Sequence, residues 1–130
     1  MGRVLMEGHR ARTWALRIGR DRDADVSVLT VSGRVGAKSA AVLRDALVDA
    51  SRDALAVVLD LGSVDYISGA GVATVHEAAA RLADAGGALV LCALQDPVRI
   101  AFDLAGLEPA CMVETTRPLA VDAVRAGRQP

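Results

Sequence analysis

The chain has 130 residues, 52% of them apolar, with one residue each of Trp, Tyr and Phe and a formal net charge of −1. That size and apolar content fit one domain with a real core and exclude disorder over most of the chain. The few aromatics and the scattered arginines, with Lys38 the only lysine, argue against a nucleic-acid surface and leave no P-loop lysine.

Residues 1–12 are mostly polar and read as a loose arm, without the long apolar core of a signal peptide. The main domain is expected over 13–126. Trp14, Leu16 and Ile18 alternate as in a half-buried strand. The charged run Arg20–Asp25 then predicts a hairpin turn. Val26–Val31 carries apolar side chains on both faces, which suits a strand inside the sheet, closed by Ser32-Gly33. Ser39 is placed to cap a helix running to about Ser51, with Ala40, Leu43, Leu47 and Ala50 on its buried stripe. A strand over Leu55–Leu61 follows. The next helix, about Val72–Ala85, aligns Val72, Val75, Ala79 and Leu82, and Gly86-Gly87 supplies a left-handed end. Ala88–Leu94 is a third buried strand. Asp96-Pro97 starts a helix whose apolar residues are Ile100, Ala101, Leu104 and Ala105, stopped by Gly106. Met112-Val113 is a short strand, Pro118 opens a closing helix with Ala120, Val121 and Val124 on one face, and 127–130 fray.

This order predicts an α/β fold with a mixed sheet. The first two strands form an antiparallel hairpin and the later ones run parallel through right-handed crossovers. About four helices are expected, mainly on one side. No run of about 18 apolar residues is present to span a membrane. Cys92 and Cys111 lie in apolar surroundings without CxxC spacing, which reads as buried free thiols in a reducing, cytoplasmic setting.

The most informative stretch is Val57-Val-Leu-Asp-Leu-Gly-Ser-Val-Asp-Tyr-Ile-Ser-Gly-Ala-Gly71. A strand stops at a glycine loop and runs straight into a helix, displaying free backbone N–H groups and one hydroxyl. Small residues there permit close approach by a partner or an anion.

The element order, with Leu29-Thr-Val-Ser-Gly-Arg-Val35, the 57–71 stretch, Gly86-Gly-Ala-Leu-Val-Leu-Cys92 and Pro97-Val-Arg-Ile-Ala-Phe-Asp-Leu-Ala-Gly-Leu107, resembles the STAS domain family, which includes bacterial anti-sigma-factor antagonists. The resemblance implies a non-catalytic protein, without cofactor, that binds a kinase-like anti-sigma factor and so controls sigma-factor-dependent transcription. In the family the loop typically reads Asp-Ser-Ser-Gly, and its third residue is phosphorylated by the partner. The matching positions here are Ser68, Gly69, Ala70 and Gly71, so only the final glycine keeps its expected identity. Ala70 stands at the phosphoacceptor position and has no hydroxyl. The resemblance therefore implies constitutive binding or regulation moved elsewhere.

Ser68 has two readings. Its hydroxyl caps the following helix, a contribution of about 1 kcal/mol, or it is itself a phosphorylation site. A nucleophile elbow is not present, since Tyr66 stands where glycine is needed. His76 and His9 are poorly placed as bases, and the loop is not a GxGxxG motif. Asp60, near a strand end, and Asp65, in the turn beyond it, have no further ligands nearby, so no metal site is expected. Outside the core stripe, Ala70, Ala73, Thr74, Glu77 and Arg81 form a small-then-polar surface suited to a flat docking face. The expected partner-binding set is Ser68, Gly69, Ala70, Gly71, Thr74 and Glu77, on a monomer or weak homodimer. A scaffold or transport-accessory subunit, and a small-molecule or nucleotide binder, are the competing readings.

Overall fold

The computed structural model of the protein describes residues 16–106 and 112–127. Nine elements alternate along them: β1 (Arg17–Asp23), β2 (Val26–Val35), α1 (Ala40–Asp53), β3 (Ala56–Ile67), α2 (Gly69–Asp84), β4 (Ala88–Cys92), α3 (Asp96–Ala105), β5 (Met112–Glu114) and α4 (Arg117–Gly127). The sheet order follows the chain, β1-β2-β3-β4-β5, with β1 antiparallel to β2 and every later pair parallel. This is the mixed sheet expected from two strands without an intervening helix, followed by strands separated by helices.

The two faces of the sheet are covered unequally. On one face, Leu29, Val31, Val57, Leu59, Leu61, Leu89 and Leu91 pack with the buried stripes of α1, α2 and α3. On the other, Val26, Val28, Val58, Val90 and Cys92 pack with Ala120, Val121 and Val124 of α4. The periodicity of α1, α2 and α4 picked out their buried faces correctly, and all the residues named for them are in the core.

Several local expectations need correction. Trp14 and Cys111 lie outside the described residues. The charged run after Ile18 is strand: Arg20, Asp21, Arg22 and Asp23 pair with Leu29, Val28, Ser27 and Val26, and the turn is only Ala24-Asp25. An edge strand needs one neighbour and tolerates charge on its open side. Arg20 also pairs with Asp53 at the end of α1, which gives that charge a place. In α3 the apolar residues noted from the sequence are mostly not the buried ones. Val98 and Phe102 are buried with Ala101 packed beside them, whereas Ile100 is 54% and Leu104 84% exposed. Its cap position is Gln95, with Asp96 the first helical residue and no side-chain cap bond. Ser39 does stand at the start of α1, but its hydroxyl accepts from the Gly36 N–H at 2.8 Å rather than from the helix.

Strands β2 and β3 both run beyond their expected ends. The ladder skips one β3 residue between Thr30↔Asp60 and Ser32↔Ser63, and another between Gly33↔Val64 and Arg34↔Tyr66. Asp65 is thus a bulged strand residue, not part of a turn. Bulges add twist and re-aim side chains at strand ends, and here they deliver β3 to the candidate site.

Candidate functional site

The corner between β3 and α2 is built by three hydrogen bonds around Ser68. Its N–H donates to the Val35 carbonyl at 2.8 Å, which ties the ends of β2 and β3 together. Its own carbonyl accepts from the Val72 N–H at 2.9 Å, the first bond of the helix. Its hydroxyl accepts from the Gly71 N–H at 3.1 Å, with the residue extended at φ −83° and ψ 169°. Ser68 is an N-cap residue, and α2 begins at Gly69 rather than near Val72.

The glycines at the corner serve different ends. Gly71 is buried, and a Cβ built on it would lie 2.7 Å from Cγ1 of both Ile67 and Val35. No side chain fits there without moving the core. Gly71 therefore seats the helix and contributes little surface of its own. Gly69 has nothing within 4 Å of an added Cβ, and both it and Ala70 are exposed. Of the remaining residues expected to bind a partner, Thr74 is half-buried and Glu77 is exposed. His76 is exposed.

A shallow groove of about 270 Å³ adjoins the corner, lined by Gly69, Val72, Ala73 and His76 of α2 and by Ala101 and Ala105 of α3. The exposed Ile100 and Leu104 stand on the same helix as its far wall. Sequence reasoning missed the α3 side, because the exposed and buried apolar residues of that helix are indistinguishable by type. Among the described residues, no group of three or more His, Cys, Asp or Glu side chains is placed to hold a metal ion. No helix there is long and apolar enough to cross a membrane.

A second polar cluster lies on the α4 face, where the middles of β2 and β3 stand level with the end of β4. Asp60 is not paired with Asp65 but with Arg117, the first residue of α4. Its Oδ2 accepts from Arg117 Nε at 3.2 Å and Nη2 at 3.1 Å, while Oδ1 accepts from the Gly62 N–H at 2.9 Å. Arg117 Nη2 also donates to Thr30 Oγ1 at 2.7 Å. The partners are 57 residues apart, and no sequence signal joins them. These bonds tie α4 to β2 and β3, so the cluster is structural.

This cluster borders Cys92. Burial raises that thiol from its ordinary 9.0 to about 11; the Asp60 carboxylate adds to the rise and Arg117 opposes it. The native state then keeps a proton that the unfolded chain releases above pH 9. Stability should fall from pH 9 to about 11, by at most about 3 kcal/mol. Urea melts of the wild type and Cys92→Ala at pH 8, 9.5 and 11 test this. The wild type's advantage should shrink across the window, and a constant gap between the two proteins would refute the assignment.

Comparison with known proteins follows the same lines. Residues 18–114 match the family model described as "Mlab, STAS domain". A Bordetella bronchiseptica protein, BtrV, named as a candidate anti-sigma factor antagonist, is 42% identical over 69 residues, or 53% of this chain. The match spans 60% of that relative's length. Among solved structures, an anti-sigma factor antagonist from Mycobacterium paratuberculosis superposes with a TM-score of 0.73 at 24% identity, covering 85% of this chain and 94% of that one. A Thermotoga maritima protein titled as a candidate anti-sigma factor antagonist gives 0.76 at 17% identity, covering 83% and 94%. At those identities the structural likeness establishes the fold alone.

Proposed function

The chain belongs to the STAS domain family, and we propose that it is a non-catalytic anti-sigma factor antagonist that binds a kinase-like anti-sigma factor through the Ser68–Gly71 corner and α2. The observation that carries this reading is the corner itself: Gly69 and Ala70 stand exposed, Gly69 has open space around an added Cβ and lines a groove walled mainly by apolar residues, and the one hydroxyl of the corner is engaged as a helix cap. Such a surface offers close backbone approach and apolar contact but no nucleophile–base pair. The similarity to BtrV supports the role.

Without a hydroxyl at position 70, a phosphate cannot be added there to break a docked interface by repulsion and desolvation. Binding is therefore constitutive, or is regulated at another site. Phosphate on Ser68 would first have to displace its cap bond.

The test is calorimetric titration of the chain with purified kinase-fold anti-sigma factors from its source genome. We expect one of them to bind the wild type. Ala70→Glu should weaken that complex by several kcal/mol, because the interface would bury an unpaired charge. Unchanged affinity would place the interface elsewhere. Incubation of the pair with ATP followed by mass spectrometry should leave the chain unmodified; stoichiometric phosphate on Ser68 would overturn constitutive binding.

A further inference from the structure

We propose that Arg34 and Tyr66 form a second anchor beside the corner, one that receives a carboxylate-bearing segment of the same protein partner. This rests on the docking role assigned to the corner. The chain has a single tyrosine, and the fold places it not in the core but at the end of β3, 41% exposed and two residues before Ser68. Arg34 is its register partner on β2, with the guanidinium carbon 4.5 Å from the ring centroid.

The backbone is shaped to present this pair. Gly33 adopts φ +107°, a conformation that favours glycine, just where the ladder skips Asp65. That shift sets Arg34 opposite Tyr66. The Ser68 N–H to Val35 carbonyl bond then joins the end of this strand pair to the corner. The Ser39 hydroxyl donates to the Arg34 carbonyl at 3.3 Å, which ties in the turn from β2 to α1 as well. The pair and the corner are thus parts of one hydrogen-bonded surface.

Charge indicates what the pair receives. Among the described residues, no carboxylate forms an ion pair with Arg34. The nearest acid in sequence to its partner, Asp65, is exposed and leaves the guanidinium to the ring. The ring contact holds the guanidinium over Tyr66 while its N–H groups remain able to donate, so less rotamer freedom is lost when a carboxylate arrives. Lys38, the only lysine, is exposed in the turn that follows β2. Tyrosine and arginine are also the residue types that most often anchor protein interfaces. A bidentate carboxylate on Arg34, from a residue whose stem lies on the Tyr66 ring, uses every feature of the pair.

The test extends the titration with the kinase-fold anti-sigma factor to Tyr66→Ala, Arg34→Ala and Arg34→Lys. Both alanine variants should bind at least tenfold more weakly, and Arg34→Lys should not restore wild-type affinity, because an ammonium keeps the charge but neither the fork nor the stack. Losses in the double alanine variant should be less than multiplicative. Binding by Arg34→Ala should also depend less on salt than binding by the wild type. Both side chains are exposed, so thermal melts of the free variants should match the wild type. If Ala70→Glu abolishes binding while both alanine variants stay within twofold of wild type, the anchor is refuted and the corner stands. An unaltered salt dependence in Arg34→Ala would refute the carboxylate. If the wild type binds no kinase-fold anti-sigma factor, the docking role and the anchor fall together.

Discussion

Replacing Gly87 with alanine is expected to lower the melting temperature by more than about 12 °C or to prevent folding, while the same change at Gly86 lowers it by about 4 °C. The two glycines end α2 in a six-residue wrap. The Gly86 N–H donates to the Ala83 carbonyl at 3.0 Å, and the Gly87 N–H to the Leu82 carbonyl at 2.7 Å. Gly86 has φ +86° and open space around an added Cβ. Alanine there meets only the left-handed penalty, about 1 kcal/mol. Gly87 meets a different obstacle, since its added Cβ would lie 2.2 Å from the Leu55 carbonyl oxygen. That oxygen accepts from the Ala88 N–H at 2.8 Å, where β4 joins β3. Backbone cannot rotate aside as a side chain can, so the methyl group would pry β4 from its neighbour, at a cost of about 3 kcal/mol or more. Circular dichroism melts of the two variants separate strain from collision, and equal shifts would show that the collision is relieved elsewhere.

The second large effect is expected at Asp60. Asp60→Ala should destabilise the fold by about 2–3 kcal/mol, measured by urea unfolding. The carboxylate is only 18% exposed, and its loss strands the Arg117 guanidinium and the Gly62 N–H together. Arg117 is 37% exposed, which allows water to recover part of the loss and keeps the figure below that of a fully buried pair. Adding Arg117→Met should return part of the stability, because it removes the stranded charge and keeps the apolar stem. The double variant being additive would mean that the pair contributes nothing beyond its separate members. The Cys92 thiol supplies an independent readout. With the carboxylate gone, one cause of its raised pKa is removed, and the ultraviolet absorbance of the thiolate in the native protein should appear at lower pH than in the wild type.

These two sites also show what the sequence could and could not convey. Gly86-Gly87 was legible as a helix end, because a left-handed residue after a helix nearly requires glycine. The collision at Gly87 was not, since it depends on where Leu55 arrives from another strand. The stripes of α1, α2 and α4 were legible because each helix buries one face, and helical spacing exposes that face directly. α3 was not, because its two apolar faces differ only in what lies beside them. β1 was hidden by its charges: Arg20 to Asp23 are exposed on both faces of the strand, so no alternation marks it. At the candidate site, the strand–glycine–helix pattern marked the position of the corner and offered the cap role as one of two readings of Ser68, the one its hydroxyl fills. The pairing of Arg34 with Tyr66, and the groove against α3, required tertiary structure. They depend on bulges and on helix placement, neither of which leaves a periodic trace.

The unequal packing of the corner glycines bears on the history of this surface. Position 71 admits no side chain, whereas positions 69 and 70 face open solvent at the positive end of α2. Residues at 69 and 70 can therefore be exchanged almost without touching stability, and each exchange alters the exposed surface of the corner alone. A serine at 70 would fit the same backbone as the alanine does. Under the proposed docking role, a single oxygen atom at position 70 would separate a switchable corner from a permanently engaged one, at no cost to the fold.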